Sequence, residues 1–136
     1  MKRWAAALGP LAMVCLLTAC GRSAAGSSSA SPGPFASQAG QVMADLAAGN
    51  FTAVQGKFDP GMIKAAQALP LPKAWADCQD ALGTYRSHGA PTSARAGPYD
   101  NEQVPVMWAN GPGVVIVTFD PGGTIAGLHC YGAPPS

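Results

Sequence analysis

Apolar residues between positions 35 and 58 recur at the spacing of an α-helix. One stripe follows positions i, i+4, i+7, i+8 and i+11 and consists of Phe35, Ala39, Val42, Met43 and Leu46. This spacing predicts an amphipathic helix with one apolar side facing a core. Gly49 and Asn50 then predict the end of that helix and the cap of the next one. A second, short helix is indicated by a further stripe of Phe51, Val54 and Phe58.

Capping residues indicate two more helices. Asp59 and Pro60 form a cap followed by proline at the first helical position, which predicts a third helix that extends to Gln67. After two further prolines, a fourth helix is predicted from Lys73 to a stop signal at Gly83. Its inward side carries Trp75, Cys78 and Leu82.

Beyond residue 84 the pattern changes from helical spacing to alternation. Residues 85–95 are polar and interrupted by glycine and proline, so the indication of a first strand there is weak. Val104, Val106 and Trp108 alternate with polar or smaller neighbours, residues 114–119 are β-branched or aromatic, and residues 124–131 return as a last strand. Helices followed by an antiparallel β-meander predict an α+β fold, with residues 36–133 as a single domain.

The first nineteen residues have the pattern of an export signal. Lys2 and Arg3 precede an uncharged, mostly apolar run over residues 4–17, which is shorter than the roughly 20 apolar residues of a spanning helix. The run ends with the letters LTACG at residues 17–21. This motif resembles the bacterial lipobox, which implies cleavage before Cys20 and attachment of lipid, such as palmitate, to its thiol. A plain signal peptide with an unrelated cysteine is the alternative.

We therefore predict a signal peptide at residues 1–19 and a lipidated, flexible tether at residues 20–35. Two acyl chains on Cys20 are enough for stable anchoring, so the expected location is the cell membrane, with the domain on its extracytoplasmic side. Between residues 21 and 34 no aliphatic side chain is larger than alanine, a composition typical of a flexible linker. Without the signal peptide, six basic residues face seven acidic ones. No basic cluster remains to neutralise several phosphates, which argues against a nucleic-acid partner.

Two cysteines, Cys78 and Cys130, remain in the domain. Exported compartments permit disulfides, and an even pair there favours a bridge between the fourth helix and the last strand. Such a bridge would stabilise the fold by about 4 kcal/mol through loop closure. A metal site and a reactive thiol are the alternatives. A metal site needs three or four ligands, but the chain has two histidines and no CxxC or HxxxH spacing, so we expect neither metal nor cofactor.

No constellation of residues in the sequence indicates catalysis. The Gly-x-Ser-x-Gly motif of α/β-hydrolases is absent. His88 lies in a segment rich in glycine and proline, and His129 should face solvent if its neighbour Cys130 faces the helices. Asp77 and Asp80 lie off the apolar side of the fourth helix and are expected in water.

The layout of residues 36 to about 131 resembles a known superfamily. The resemblance rests on Met43-x-x-Leu46-x-x-Gly49-Asn50-Phe51, on the helix with Trp75 that ends at Leu82-Gly83, and on a strand pair joined across Asp120 and Gly123. These motifs are similar to secreted domains of the cystatin-like, nuclear-transport-factor-2-like superfamily. In particular they resemble an uncharacterised exported family whose members occur alone as lipoproteins or ahead of an α/β-hydrolase domain.

The resemblance implies helices packed on a curved antiparallel meander that forms a cone-shaped pocket. Superfamily members bind small apolar ligands, catalyse isomerisation or dehydration with a pocket Asp/His pair, or pair with other proteins. Trp75, Tyr85, Met107 and Trp108 are the candidate lining if such a pocket exists. Ordinary core packing is the favoured interpretation for all four, because a domain of this size needs its large side chains inside.

These observations predict a non-catalytic, membrane-anchored binding or accessory module, whose partner is a small apolar ligand or an exported protein. Two alternatives belong to other functional classes. A small acid–base enzyme, an isomerase or hydrolase-like activity, would need a buried Asp or His at the bottom of a cavity. A passive, homodimeric envelope protein would expose a large apolar patch on its strands.

Overall fold

A computed structural model describes residues 33–132, where helices precede strands. The helices are α1 (Ala36–Ala48), α2 (Phe51–Gln55), α3 (Pro60–Ala68) and α4 (Leu71–Leu82). The strands are β1 (Tyr85–His88), β2 (Thr92–Ala96), β3 (Tyr99–Trp108), β4 (Gly111–Phe119) and β5 (Ile125–Gly132). The predicted α+β class is therefore confirmed. None of the helices in this range is long and apolar enough to cross a membrane.

The strands form one curved, unclosed antiparallel sheet. β3, β4 and β5 follow one another as a meander, as predicted. β1 and β2 both pair with the other edge of β3, β1 near Trp108 and β2 near Tyr99. The sequence indicated one strand over residues 85–95, whereas the structure has two. Gly89 and Pro91 separate them, because proline lacks the N–H that a continuous ladder needs.

The core lies between the helices and one face of the sheet. The predicted stripe of α1 is buried from Ala39 to Leu46. The sheet contributes alternate residues, since successive side chains of a strand point to opposite faces. The largest of these are Trp108 and Phe119, both almost fully buried. Phe35 stacks on Phe119 with 4.8 Å between ring centroids, so this residue of the predicted tether packs with the domain.

Local signals explain where the helices begin and end. Gly49 adopts φ 76° after α1, a left-handed conformation that suits glycine at a helix end. The Asp59 side chain accepts a hydrogen bond from the Met62 N–H at 2.8 Å, which caps α3 as predicted. α4 begins at Leu71 rather than at the predicted Lys73. N–H groups in the first turn of a helix have no partner within the helix, so the missing N–H of Pro72 does not prevent α4 from starting at Leu71.

A disulfide joins the helices to the sheet. The sulfur atoms of Cys78 on α4 and Cys130 on β5 are 1.95 Å apart, and their Cα atoms 6.3 Å. The predicted bridge between helix and last strand is therefore present. It links residues 52 positions apart, and loop closure of that size stabilises the folded state by about 4 kcal/mol.

Close packing around Trp108 requires a glycine at position 113. A Cβ atom added to Gly113 would lie 2.6 Å from Trp108 Nε1 and would overlap the carbonyl oxygen of Tyr131. Trp108 in turn contacts Trp75, with 5.7 Å between ring centroids. The absence of a side chain at Gly113 therefore leaves room for the Trp108 indole beside the Tyr131 backbone while the indole packs on α4.

We predict that Gly113→Ala lowers the free energy of unfolding by about 2 kcal/mol or more, because neither the backbone carbonyl nor the buried indole has room to shift. Gly40→Ala is the matched control. Position 40 lies within α1 with nothing within 4 Å of an added Cβ, so alanine should stabilise the helix by roughly 0.5–1 kcal/mol. Urea unfolding of both variants measures the two effects, and equal effects would contradict the packing described for Trp108.

Candidate ligand-binding cavity

A cavity of about 440 Å³ lies between α3, α4 and β5. Aliphatic and aromatic side chains dominate its walls, including those of Leu46, Phe58, Met62, Leu71, Trp75 and Leu128. Among the described residues that line it, His129 alone has a side chain that titrates. The cavity is therefore an apolar environment that suits uncharged groups, since a charge would lose its hydration there without compensation.

Helix α3 covers the cavity without burying any side chain of its own. Met62 and Leu69 point to the cavity, yet Leu69 remains 45% exposed and Ile63, beyond the cavity wall, 50%. A second cavity of about 400 Å³ also borders α3 and shares Phe58 and Ala66 with the first. Because few buried contacts hold it, α3 is the wall of the cavity that can move at lowest cost.

The opposite wall is covalently fixed. Cys78 and Cys130 both line the cavity, so the disulfide itself forms part of the surface. Trp75, one turn before Cys78, is buried and continues this wall along α4. The cavity thus has one rigid side, held by the disulfide and the core, and one loosely packed side formed by α3.

Of the four residues predicted to line a pocket, only Trp75 lines this cavity. Tyr85 and Trp108 pack with Trp75 in an aromatic cluster, with centroids 5.9 Å and 5.7 Å from that of Trp75, and neither lines the cavity. Met107 is 46% exposed on the other face of the sheet. The alternation of β3 explains this, because Met107 is adjacent to the inward-facing Trp108 and so points outward.

Both histidines and the two aspartates of α4 are exposed to solvent, as the sequence predicted. His129 is exposed and stacks on Tyr131, which shares its outward orientation. His88 is exposed on β1, and its Nδ1 lies 2.6 Å from the Tyr85 hydroxyl. Burial raises the pKa of Tyr85. Asp77 is exposed and accepts hydrogen bonds from Lys73.

Glu102 is a buried carboxyl group that the sequence analysis did not identify. Its side chain is 0% exposed, and within residues 33–132 neither oxygen has a hydrogen bond of good geometry, although Ser93 and Gly33 lie close to it. It points to the helix side of β3, where the backbone of Gly33 lies directly over it and Ser93 of β2 lies beside it. The next residue on that face, Asp100, is also buried and pairs with Arg95 at 3.4 Å.

The environment of Glu102 favours its protonated form. Burial raises the pKa of Glu102 above its ordinary value of 4.5, and the nearby charge of Asp100 adds to the increase. The Ser93 hydroxyl and the Gly33 backbone oppose this shift in part. Glu102 does not line the cavity, so its proton is not placed to act on a molecule bound there.

Alternation within β3 was the signal that could have located Glu102. Residues 100, 102, 104, 106 and 108 all point to the helices, and all are buried. The sequence prediction began this strand at Val104, because the first two inward positions carry acidic residues instead of apolar ones. Extending the period of two backwards from Trp108 would have assigned both carboxylates to the core side.

Comparisons of the chain with models of protein families, with curated proteins and with solved structures give no match. Cys20, the signal peptide and most of the tether lie outside the described residues. Within residues 33–132 no group of three or more His, Cys, Asp or Glu side chains is arranged to hold a metal ion. The cavity is therefore the feature of the described structure that supports a functional proposal.

We predict that Glu102→Gln stabilises the domain at pH 7.5 by roughly 1 kcal/mol and has little effect at pH 4. The folded state has the higher pKa and binds more protons than the unfolded state above pH 4.5, so wild-type stability falls as pH rises through that range. Urea unfolding at both pH values tests this, with Asp77→Asn on the solvated side of α4 as control. A gain that is the same at both pH values would contradict the raised pKa of Glu102.

Proposed function

We propose that the protein is a membrane-anchored, exported binding module without catalytic activity, and that the cavity between α3, α4 and β5 holds its ligand. The observation that carries this proposal is the cavity of about 440 Å³ with apolar walls. Ligand sites in proteins typically have volumes of about 300–1,000 Å³ and are lined mainly by hydrophobic side chains. A ligand that binds in this space stabilises the folded state, because it binds the folded chain and not the unfolded one.

The chemistry of the walls favours binding over proton transfer. General acid–base catalysis needs a titratable group within hydrogen-bond distance of the substrate. The described wall offers His129, whose side chain lies on the exposed face of β5, while the buried Glu102 lies elsewhere. The enzyme alternative therefore lacks the buried Asp or His in a cavity that it requires, and binding has the stronger support.

The cone-shaped fold of the cystatin-like, nuclear-transport-factor-2-like superfamily remains part of this proposal. Four helices on one face of a curved antiparallel sheet agree with the architecture that the sequence resemblance implies. The cavity, however, opens beside the edge of β5 and not among Tyr85 and Trp108, where the resemblance suggested a pocket. We place the binding site at the β5 side of the domain for this reason.

Filling the cavity should abolish binding. Ala74 lines the cavity on α4, whereas Ala76, two residues later, is exposed. We predict that Ala74→Phe weakens binding of the neutral fluorescent probe N-phenyl-1-naphthylamine at least tenfold, because the new ring occupies the space of the probe. Ala76→Phe adds the same ring outside the cavity and should bind like the wild type. Fluorescence titration measures both, and equal loss or equal retention in the two variants would contradict the cavity site.

The anchor is tested separately at Cys20. We predict that Cys20→Ser prevents cleavage before residue 20 and removes the acyl mass, because no thiol remains to accept lipid. Cys15→Ser, within the same apolar run, is the control and should be processed normally. Intact mass spectrometry of the membrane fraction reads both changes. An unlipidated wild-type chain that begins elsewhere would contradict the lipoprotein assignment.

A homodimer through the outer face of the sheet is a second candidate function. This face exposes Met107 by 46% and Tyr131 by 49%, and Pro105, Val114 and Tyr131 form one cross-strand row on it. Exposed apolar patches of this kind often mark protein contacts. Under this candidate the wild type dimerises in sedimentation experiments, Met107→Lys abolishes the dimer, and Ala76→Lys on α4 leaves it intact. A wild type that is monomeric at all concentrations removes the candidate.

A further inference from the structure

The cavity follows the edge of the sheet as well as its face. β5 is an edge strand that pairs only with β4 among the described strands. Five successive residues of β5, 126–130, line the cavity. Because successive side chains point to opposite faces, a cavity over one face contacts the side chains of every second residue and reaches the residues between them through their backbone. The cavity lining therefore includes the backbone of β5, next to its free edge.

The register identifies which backbone groups point to that edge. Trp108 and Gly111 flank a two-residue turn, so they exchange both backbone hydrogen bonds of their pair. Alternation along β4 then directs its even-numbered residues to β5, where their partners are Gly127, His129 and Tyr131. Leu128 and Cys130 lie between those partners. Their N–H and C=O groups consequently point away from β4, toward the free edge.

The chain itself already pairs with the first part of this edge. The Ile125 N–H donates a hydrogen bond to the Lys57 carbonyl at 2.7 Å, and the Asp59 N–H donates one to the Ile125 carbonyl at 2.9 Å. This short parallel bridge ends where α3 begins at Pro60. Beyond Ile125, no backbone hydrogen bond within residues 33–132 continues the ladder. The edge of β5 therefore has free backbone groups that can pair with an added strand. At the start of that edge, Ile125 already pairs with the protein's own Lys57 and Asp59.

We infer that the natural ligand of the cavity is an extended segment of an exported polypeptide, which adds to β5 as a further strand. Its backbone pairs with Leu128 and Cys130, and every second side chain enters the cavity between α3 and the disulfide. This inference rests on the proposed function, because it takes the same cavity as the binding site. Strand addition combines main-chain hydrogen bonds with pockets for alternate side chains.

The dimensions of the cavity agree with this ligand. An engineered protein cavity of about 150 Å³ accommodates benzene, so 440 Å³ has room for about three side chains of that size. An extended segment of about six residues presents three side chains to one face. The free part of β5, residues 126–132, is about 23 Å long at 3.3 Å per residue, which matches a segment of that length.

The residues that line the cavity indicate which side chains the bound segment carries. The described lining offers no Lys, Arg, Asp or Glu side chain, so the inserted side chains are apolar and uncharged. Helix α3 buries no side chain, so it can move outward to admit them at low cost. The disulfide holds α4 in place beside β5, so the edge keeps its orientation while α3 adjusts.

The test uses the chain from residue 21 onward, exported into an oxidising compartment, and three blocked hexapeptides at millimolar concentration. The first alternates valine and threonine. The other two carry N-methyl groups on alternate amides, one on the odd and one on the even positions. Both keep all side chains, but only one loses the N–H groups that face β5. We expect the parent peptide and one isomer to bind, and the other isomer to bind at least tenfold more weakly.

Amide hydrogen exchange measured by NMR is the second test of peptide binding at the β5 edge. Bound peptide should slow exchange at Leu128 and Cys130 at least tenfold, and leave exchange on β3 unchanged. Binding that is insensitive to either methylation pattern, or that leaves these two amides unprotected, overturns the inference. Binding of N-phenyl-1-naphthylamine but of no peptide also overturns it, while the proposed function stands. If neither the peptides nor N-phenyl-1-naphthylamine bind, both the inference and the proposed function are overturned.

Pairing of two copies through β5 is a further outcome of the same experiment. In that case Leu128 and Cys130 would be protected without peptide, and their protection would increase with protein concentration. This result would also overturn the inference, because the edge would already be occupied by a second copy.

Discussion

The disulfide between Cys78 and Cys130 is the constraint on which the cavity depends. It fixes α4 beside β5, and both of its sulfur-bearing residues are part of the cavity wall. Apolar side chains normally collapse to fill a space of this kind, since protein interiors are close-packed. Here the disulfide holds α4 beside β5 with a Cα separation of 6.3 Å, so these two walls keep their relative position. Under the proposed export, folding in an oxidising compartment forms this link and so fixes part of the cavity wall.

As a result, α4 and the sheet are held rigidly, whereas α3 is packed loosely. α1 and the inner face of the sheet bury the large side chains, and the aromatic cluster around Trp108 holds α4 on the strands. α3 contributes no buried side chain and borders two cavities. Most of the packing energy thus comes from elements other than α3, so α3 can respond to a ligand without disturbing the fold.

Much of the fold was predictable because its signals are local. The α1 stripe, the cap at Asp59 and the turn-separated strands each follow from periodicity or from a single capping residue. The start of β3 was not predictable from hydrophobicity, because Asp100 and Glu102 occupy inward positions that apolar residues usually fill. Their burial depends on Arg95, Ser93 and Gly33, which contact them only in the folded chain.

The location of the site could be predicted only in part. The disulfide was predicted because helical spacing places Cys78 on the inward side of α4, and the same spacing places Trp75 where it lines the cavity. Of the other candidates for a pocket lining, Tyr85 and Trp108 pack together and Met107 lies on the outer face, because a large apolar side chain does not by itself distinguish these places. The cavity arises from a free strand edge and a loosely packed helix. Both are properties of the tertiary arrangement, and neither has a signature in a single segment of sequence.

Methyl NMR of the methionines shows where an apolar molecule binds within the domain. The chain from residue 21 onward contains Met43 in the core, Met62 in the cavity wall and Met107 on the outer face of the sheet. With these methyl groups labelled with ¹³C, a bound apolar probe should shift the Met62 signal strongly and leave Met107 unchanged. Met43 reports whether the core is disturbed. If the Met107 signal shifts and the Met62 signal does not, the probe binds on the outer face of the sheet, which would contradict binding in the cavity.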